Sequence, residues 1–233
     1  MSESATQDIK IAAVTSIPRL GFNDHWGCIL DALGPFKIPV RRFTGAFWGQ
    51  HLQTVLEGCV ADGLDWVLTL DYDTLFSARH VDALIHAFAQ NPKIDALAAM
   101  QPRRNTGMPL MTVKGPDGKP KAEIQLNGQP VKAATAHFGL TLIRVEALKT
   151  LPKPWFTGVA GPDGTWTHDE KIDPDIWFWK QWEKAGKTVY VAPDVRVGHL
   201  EMMVSELDAN LKHRWVTVPD WRKANTDTQV RSA

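Results

Sequence analysis

The chain carries only two cysteines, Cys28 and Cys59, in 233 residues. Both fall in segments with helical apolar spacing, so they read as buried free thiols and give no disulfide framework. Net charge is lacking too: 26 basic residues face 26 acidic ones, and no global field draws the chain to nucleic acid or to an anionic membrane. No apolar run approaches the ~18 residues of a membrane span. The opening residues, MSESATQD, are polar and hold no apolar signal core, which leads to the expectation of a cytoplasmic protein. There is no internal repeat or low-complexity tract, and no glycine-rich phosphate loop follows the first strand, which disfavours a nucleotidyltransferase. What is abundant is tryptophan, ten residues, half of them between Trp155 and Trp182.

Apolar periodicity organises the first hundred residues. Short extended runs at Ile9–Val14, Ile38–Phe43, Trp66–Leu70 and Ile94–Met100 alternate with helical patterns. The helices are carried by Phe22, Trp26, Ile29, Leu30 and Leu33, by Leu52, Val55, Leu56 and Cys59, and by Val81, Leu84, Ile85 and Phe88. Gly34-Pro35 closes the first helix, Ser77 is placed to N-cap the third, and Asn91-Pro92 closes it. Such alternation predicts an α/β fold with a mostly parallel central sheet and helices on both faces. Residues 101–132 break the pattern with Gly107, Pro109, Gly115-Pro116-Asp117-Gly118 and Asn127-Gly128, turn signals that predict an inserted β-hairpin. A strand over Ala134–Ile143, a short helix to Leu151, a loop over Pro152–Asp169, a helix from Ile176 and strands at Thr188–Val191 and Val195–His199 complete residues 1–204. The remainder, 205–233, reads as an extension whose end, KANTDTQVRSA, is expected to be disordered.

The third strand ends in Asp71-Tyr72-Asp73-Thr74. A buried strand has no use for two carboxylates, so they belong where the sheet opens to ligand. In a strand continuation both side chains point the same way, and two hard oxygen donors suit Mg²⁺ or Mn²⁺. The competing reading is a turn former or helix cap. Further along, Asp173-Pro174-Asp175 opens a helix that Gly186 ends. Proline at the first helical position makes Asp173 the N-cap. Asp175 is then either a partner for the helix dipole or a rigidly held base for a hydroxyl proton. His199 gains weight only from company, as an imidazole completing a site begun by carboxylates.

In this order the segments resemble a GT-A-type glycosyltransferase, family-2-like, of the inverting class that includes many bacterial and phage enzymes. The likeness runs from Ile9 to His199. It rests on a first strand ending in Thr15, on DWVLTLDYDTLF as the Asp-x-Asp strand, on HFGLTLIR, and on DPDIWFWKQWEKAGKTVYVAPDVRVGHL with its acidic helix start and terminal Gly-His. The resemblance implies a Rossmann-like GT-A sheet, a UDP- or GDP-sugar donor and an Mn²⁺ or Mg²⁺ ion. Thr15, Asp71 and Asp73 would meet the nucleotide-sugar, and Asp71, Asp73 and His199 the metal. Asp175 would be the base with Asp173 its rival, and Trp155, Trp166 and Gly139 would meet the acceptor. Two departures stand out: Pro174 replaces the family's usual Glu before the base, and Gln50, His51 and Gln53 stand where an arginine is common. The implied reaction is a single displacement with inversion. A glycan, a protein or a modified DNA base remain open as acceptors, the last because Arg103-Arg104 and the Lys212–Lys223 segment offer phosphate contacts. Two rivals stay in view. Asp71–Phe76 also resembles the first motif of haloacid-dehalogenase-type phosphatases, with Asp71 as nucleophile, and a non-catalytic sugar-nucleotide-binding module would bind donor without turning it over.

Overall fold

A computed structural model describes residues 9–104, 107–114, 120–121 and 128–226. The strands are β1 (Ile11–Ile17), β2 (Val40–Thr44), β3 (Trp66–Asp71), β4 (Thr74–Leu75), β5 (Ala96–Met100), β6 (Val113–Lys114), β7 (Pro120–Lys121), β8 (Val131–Ala133), β9 (Thr141–Arg144), β10 (Val189–Arg196), β11 (Gly198–His199), β12 (Met203–Leu207) and β13 (His213–Thr217). The α-helices are α1 (Asn23–Leu33), α2 (Trp48–Ala61), α3 (Ala78–Gln90), α4 (Val145–Lys149), α5 (Pro174–Lys184) and α6 (Val218–Thr226).

Seven strands form the main sheet in the order β2-β1-β3-β9-β5-β10-β8. β2, β1, β3, β5 and β10 run one way; β9, between β3 and β5, and β8, at the edge, run the other. The sheet is therefore mostly parallel, as the alternation of elements predicts. Strand alternation divides its side chains between two layers. Val14, Val67, Ala96, Ala98 and Ile143 pack with α2, α4 and α5. Ala13, Leu68, Leu97, Ala99 and Leu142 pack with α1 and α3. Both faces are covered, which explains why the strands read as continuous apolar runs. Neither cysteine is in a disulfide; Cys59 is buried and Cys28 half-buried. Among the described residues no helix is long and apolar enough to cross a membrane.

Several expectations need revision. The run Ala134–Ile143 is not one strand: Ala133 ends β8, and β9 begins only at Thr141, whose hydroxyl donates to the His137 carbonyl at 2.7 Å. The expected strands Thr188–Val191 and Val195–His199 are divided differently: β10 runs through Val189–Arg196, with a shift of register between Ala192 and Arg196, and Gly198–His199 form the separate β11. β6 and β7 form an antiparallel hairpin within the inserted region; the turn signals at 115–118 and Asn127 lie outside the described residues. Past residue 202 the chain forms the antiparallel pair β12–β13 and helix α6. Lys223 to Thr226, expected to be disordered, are thus helical, because α6 packs on the ribbon; residues 227–233 lie outside the described part.

Candidate active site

The site is built at the C-terminal end of β3, with β1 and β9 beside it. Instead of continuing the strand, the chain turns at Tyr72-Asp73 and re-enters extended structure as β4, so the expected period-two alignment of Asp71 and Asp73 does not hold. β4 pairs antiparallel with β11, matching Thr74 with His199 and Leu75 with Gly198. The Leu200 N–H donates to the Asp73 carbonyl at 2.8 Å. Gln101 ties the pair from behind, its amide donating to Thr74 Oγ1 at 2.9 Å and to the Gly198 carbonyl at 3.2 Å. This short ribbon brings Asp73 and His199 together across 126 positions of sequence (199 minus 73).

A cavity of about 260 Å³ lies against it, lined among others by Trp48, Asp71, Asp73, Arg104, Asp175 and His199. His199 Nε2 stands 3.4 Å from Asp73 Oδ2, and both side chains are largely buried. The other ring nitrogen, Nδ1, contacts the Pro102 carbonyl at 2.9 Å. A carbonyl only accepts, so Nδ1 carries the proton there, and in a neutral ring Nε2 presents a lone pair to a carboxylate. In that tautomer the Nε2 lone pair and the Asp73 carboxylate are two electron-pair donors suited to one cation, and Arg104 brings positive charge to the same carboxylate oxygen. Asp71 is turned elsewhere, its Oδ1 accepting from the Trp48 indole N–H at 3.0 Å. Burial pushes the Asp71 carboxyl up to about 6 against the pull of that hydrogen bond, with Asp175 adding to the rise and His199 and Arg104 opposing it. Burial also raises Asp175, and the neighbouring Asp173 carboxylate adds to it.

Among the described residues no group of three or more His, Cys, Asp or Glu is arranged to hold a metal ion. The expected trio of Asp71, Asp73 and His199 is reduced to the pair Asp73–His199, because the Trp48 N–H holds Asp71 aside. One carboxylate and one imidazole do not make an all-protein cage. They do fit a divalent ion that completes its shell with substrate phosphates and water; the carboxylate suits Mg²⁺ or Mn²⁺, and the imidazole nitrogen favours the softer Mn²⁺ of the two.

The remaining expected residues are placed unevenly. Asp173 occupies the N-cap position of α5, but its carboxylate meets Lys171 Nζ at 3.2 Å rather than capping the helix, and it does not line the cavity. Thr15 is completely buried in the middle of β1, between Arg42 and Leu70 of the flanking strands, because the strand runs on to Ile17. Its hydroxyl is buried without a hydrogen-bond partner among the described residues. Trp155, expected at the acceptor, is 2 % exposed and packed in the core with its indole N–H on the Leu151 carbonyl, so no ring face is open to a sugar. Trp166 is 56 % exposed, its ring over Gly158. Gly139 lies under the site: a Cβ there would stand 2.4 Å from Thr74 Oγ1 and 2.8 Å from His137 Nδ1.

Two lining residues, Trp48 and His137, went unrecognised in the sequence as parts of a site, and a third, Arg104, was singled out there only as a phosphate contact for a DNA acceptor. Trp48 was legible only as the start of α2. His137 is buried, with Nδ1 accepting from the Gly139 N–H at 2.9 Å, so Nε2 carries the proton and donates to the Ala99 carbonyl at 2.7 Å. Burial holds it down to about 4, and it is a neutral strut. Arg104 forms an ion pair with Asp73.

No family model matches the chain, and no curated protein matches it. Among solved structures 143 chains match, a breadth that marks a widely used fold and does not single out a reaction. One is the crystal structure of A197 from STIV, similar with a TM-score of 0.56 and 15 % identity over 88 % of this chain and 93 % of A197. At that identity the likeness is one of fold: a mixed α/β architecture with a large, mostly parallel sheet.

Proposed function

We propose that this protein is a metal-dependent GT-A-type glycosyltransferase that moves a sugar from a UDP- or GDP-sugar to an acceptor hydroxyl by a single, inverting displacement. The observation that carries the reading is the Asp73–His199 pair, 3.4 Å apart at the end of β3, with the Asp175 carboxylate lining the same cavity. Asp73 and His199 Nε2 would hold the ion against the donor's diphosphate, and when bound it supplies positive charge against the departing nucleoside diphosphate. Asp175, in the first turn of α5 behind Pro174, accepts the acceptor's proton as that oxygen bonds to the anomeric carbon and the carbon–phosphate-oxygen bond breaks. A carboxylate raised by burial is a stronger base than an exposed one. Activity should therefore fall on acidification at a higher pH than an ordinary aspartate would give. Asp71, oriented by Trp48, takes the place of a donor contact near the nucleoside. The acceptor class is a glycan, a protein or a modified DNA base, and Trp166, 56 % exposed in the loop ahead of α5, would stack on it.

Thermal unfolding against a panel of UDP- and GDP-sugars, with Mn²⁺ and with EDTA, tests this reading. A donor at about 100 times its Kd stabilises by ~2.7 kcal/mol, and the shift should vanish with EDTA. Absence of any shift while Mn²⁺ itself binds would sink the proposal. Phosphate analogues and a search for phosphoaspartate at Asp71 would then address the phosphatase. That rival is disfavoured here because no lysine lines the cavity among the described residues.

A further inference from the structure

Arg104 is the one cationic side chain among the described residues that line the cavity, apart from the histidines. Its Nη2 donates to Asp73 Oδ2, the oxygen that also faces His199 Nε2. The two partners differ sharply in setting: the Asp73 side chain is 4 % exposed and the Arg104 side chain 44 %. A buried carboxylate is fixed, whereas a half-exposed guanidinium on a flexible stem can change partner by rotating its own side chain. The backbone that carries Arg104 is held at its base. The Arg103 N–H donates to the Met108 carbonyl at 2.6 Å, the Leu110 N–H donates to the Gln101 carbonyl at 2.7 Å, and Pro102 bridges Pro109. The Pro102 carbonyl is the group that orients His199. One short segment thus sets the imidazole and delivers a guanidinium to the carboxylate beside it.

We infer that Arg104 exchanges partners during donor binding: it neutralises Asp73 in the free protein and turns to the donor's diphosphate when a divalent ion takes Asp73. This inference rests on the sugar-nucleotide reading of the site. The physical basis is charge. Asp73 is too deeply buried to remain without a positive neighbour, and Asp71 and Asp175 add negative charge to the same cavity. A guanidinium and a divalent ion at the same Asp73 oxygen repel each other, and one carboxylate neutralises only a single positive charge. With an ion held by Asp73 and His199, Arg104 would leave Asp73, and its planar fork would meet the phosphate oxygens of the donor in pairs. Arg104 acts as a competitor of the bare ion and as a ligand of the diphosphate.

Those two roles give effects of opposite sign in one variant, which a merely structural role would not. In Arg104→Gln, Mn²⁺ alone, measured by electron paramagnetic resonance of the free ion, should bind about tenfold more tightly, since a charged hydrogen bond to Asp73 no longer competes. UDP or GDP, measured calorimetrically in saturating Mn²⁺, should bind about tenfold more weakly to the same variant. Arg104→Lys, which keeps the charge and loses the fork, should return Mn²⁺ affinity toward wild type while leaving the diphosphate weak. Unchanged or weakened Mn²⁺ binding in Arg104→Gln, with unfolding showing an intact fold, overturns the competition. Tightened Mn²⁺ with undiminished diphosphate binding overturns the exchange. If wild type binds Mn²⁺ but neither diphosphate, the functional reading itself fails and the exchange with it, a pattern distinct from either of the others.

Discussion

The two layers that cover the sheet are built from different materials. On the α5 side, Trp48, Phe138, Phe156, Phe178, Trp179 and Trp182 form a continuous aromatic stack with ring centres 4.9–5.8 Å apart. On the other side, α1 and α3 press mainly aliphatic residues, Ile29, Leu33, Val81 and Leu84, against the strands. Among the described residues only the aromatic layer opens onto the cavity, through Trp48 and Phe138. Large flat rings have few rotatable bonds and interlock edge to face, so they hold a wall rigidly. Gly49 lets the first turn of α2 seat on this layer, where a Cβ would stand 2.8 Å from Phe156 Cβ. The Trp48 N–H, fixed by that packing, then aims at Asp71. One layer stabilises the sheet; the other stabilises it and shapes the site.

Cutting each layer once would sharpen that contrast. Phe138→Ala removes the ring at the centre of the stack and should destabilise by about 3–5 kcal/mol in a denaturant titration. It should also abolish donor-induced stabilisation at temperatures where the variant is still folded. Leu84→Ala, fully buried under α3, should cost about 2–5 kcal/mol yet leave the donor shift intact. Equal effects of the two on donor binding would dissolve the distinction between layers.

The next effect is smaller and of opposite sign. The folded pKa of Asp71, about 6, lies above its ordinary 3.8. The native state then binds more protons than the unfolded chain between those values, and stability falls as pH rises through that window. Asp71→Asn keeps an acceptor for Trp48 and removes the buried charge. It should raise stability by roughly 2 kcal/mol at pH 8, after allowance for partial exposure, and by almost nothing near pH 4. A gain independent of pH would show that charge is not the cause. Smallest of all, Trp166→Ala should change stability by no more than about 0.5 kcal/mol, since its ring is mostly in solvent. Acceptor affinity, measured by KM in a transfer assay, is where its loss should register.

Much of this could be read from residue order. The period of Leu52, Val55, Leu56 and Cys59 marks a buried helix face, and α2 buries all four. Ser77 takes the N-cap position of α3 as its side chain predicts. Asp71 and Asp73 stood out as a pair at the tip of an apolar strand, whereas Asp175 and His199 drew attention only in their company, and all four line one cavity. The misplacements share a cause. Trp155 and Trp166 look equivalent in a loop rich in Pro, Gly and Trp, and only packing makes one core and the other surface. Arg104 lies in a turn with no periodicity, and nothing local distinguishes it from Arg103.

By itself the sequence determined the alternation of strands and helices, the two-sided burial of the sheet and the strand tip at which charge is concentrated. These follow from side-chain period and from the cost of burying carboxylates, both of which act over a few residues. Tertiary structure alone decided that β9 enters the sheet antiparallel, that the chain turns at Tyr72-Asp73, and that Asp73 meets His199 and Arg104 while Asp71 meets Trp48. Those outcomes depend on contacts between segments as far apart as Thr74 and His199, whose pairing no local periodicity encodes.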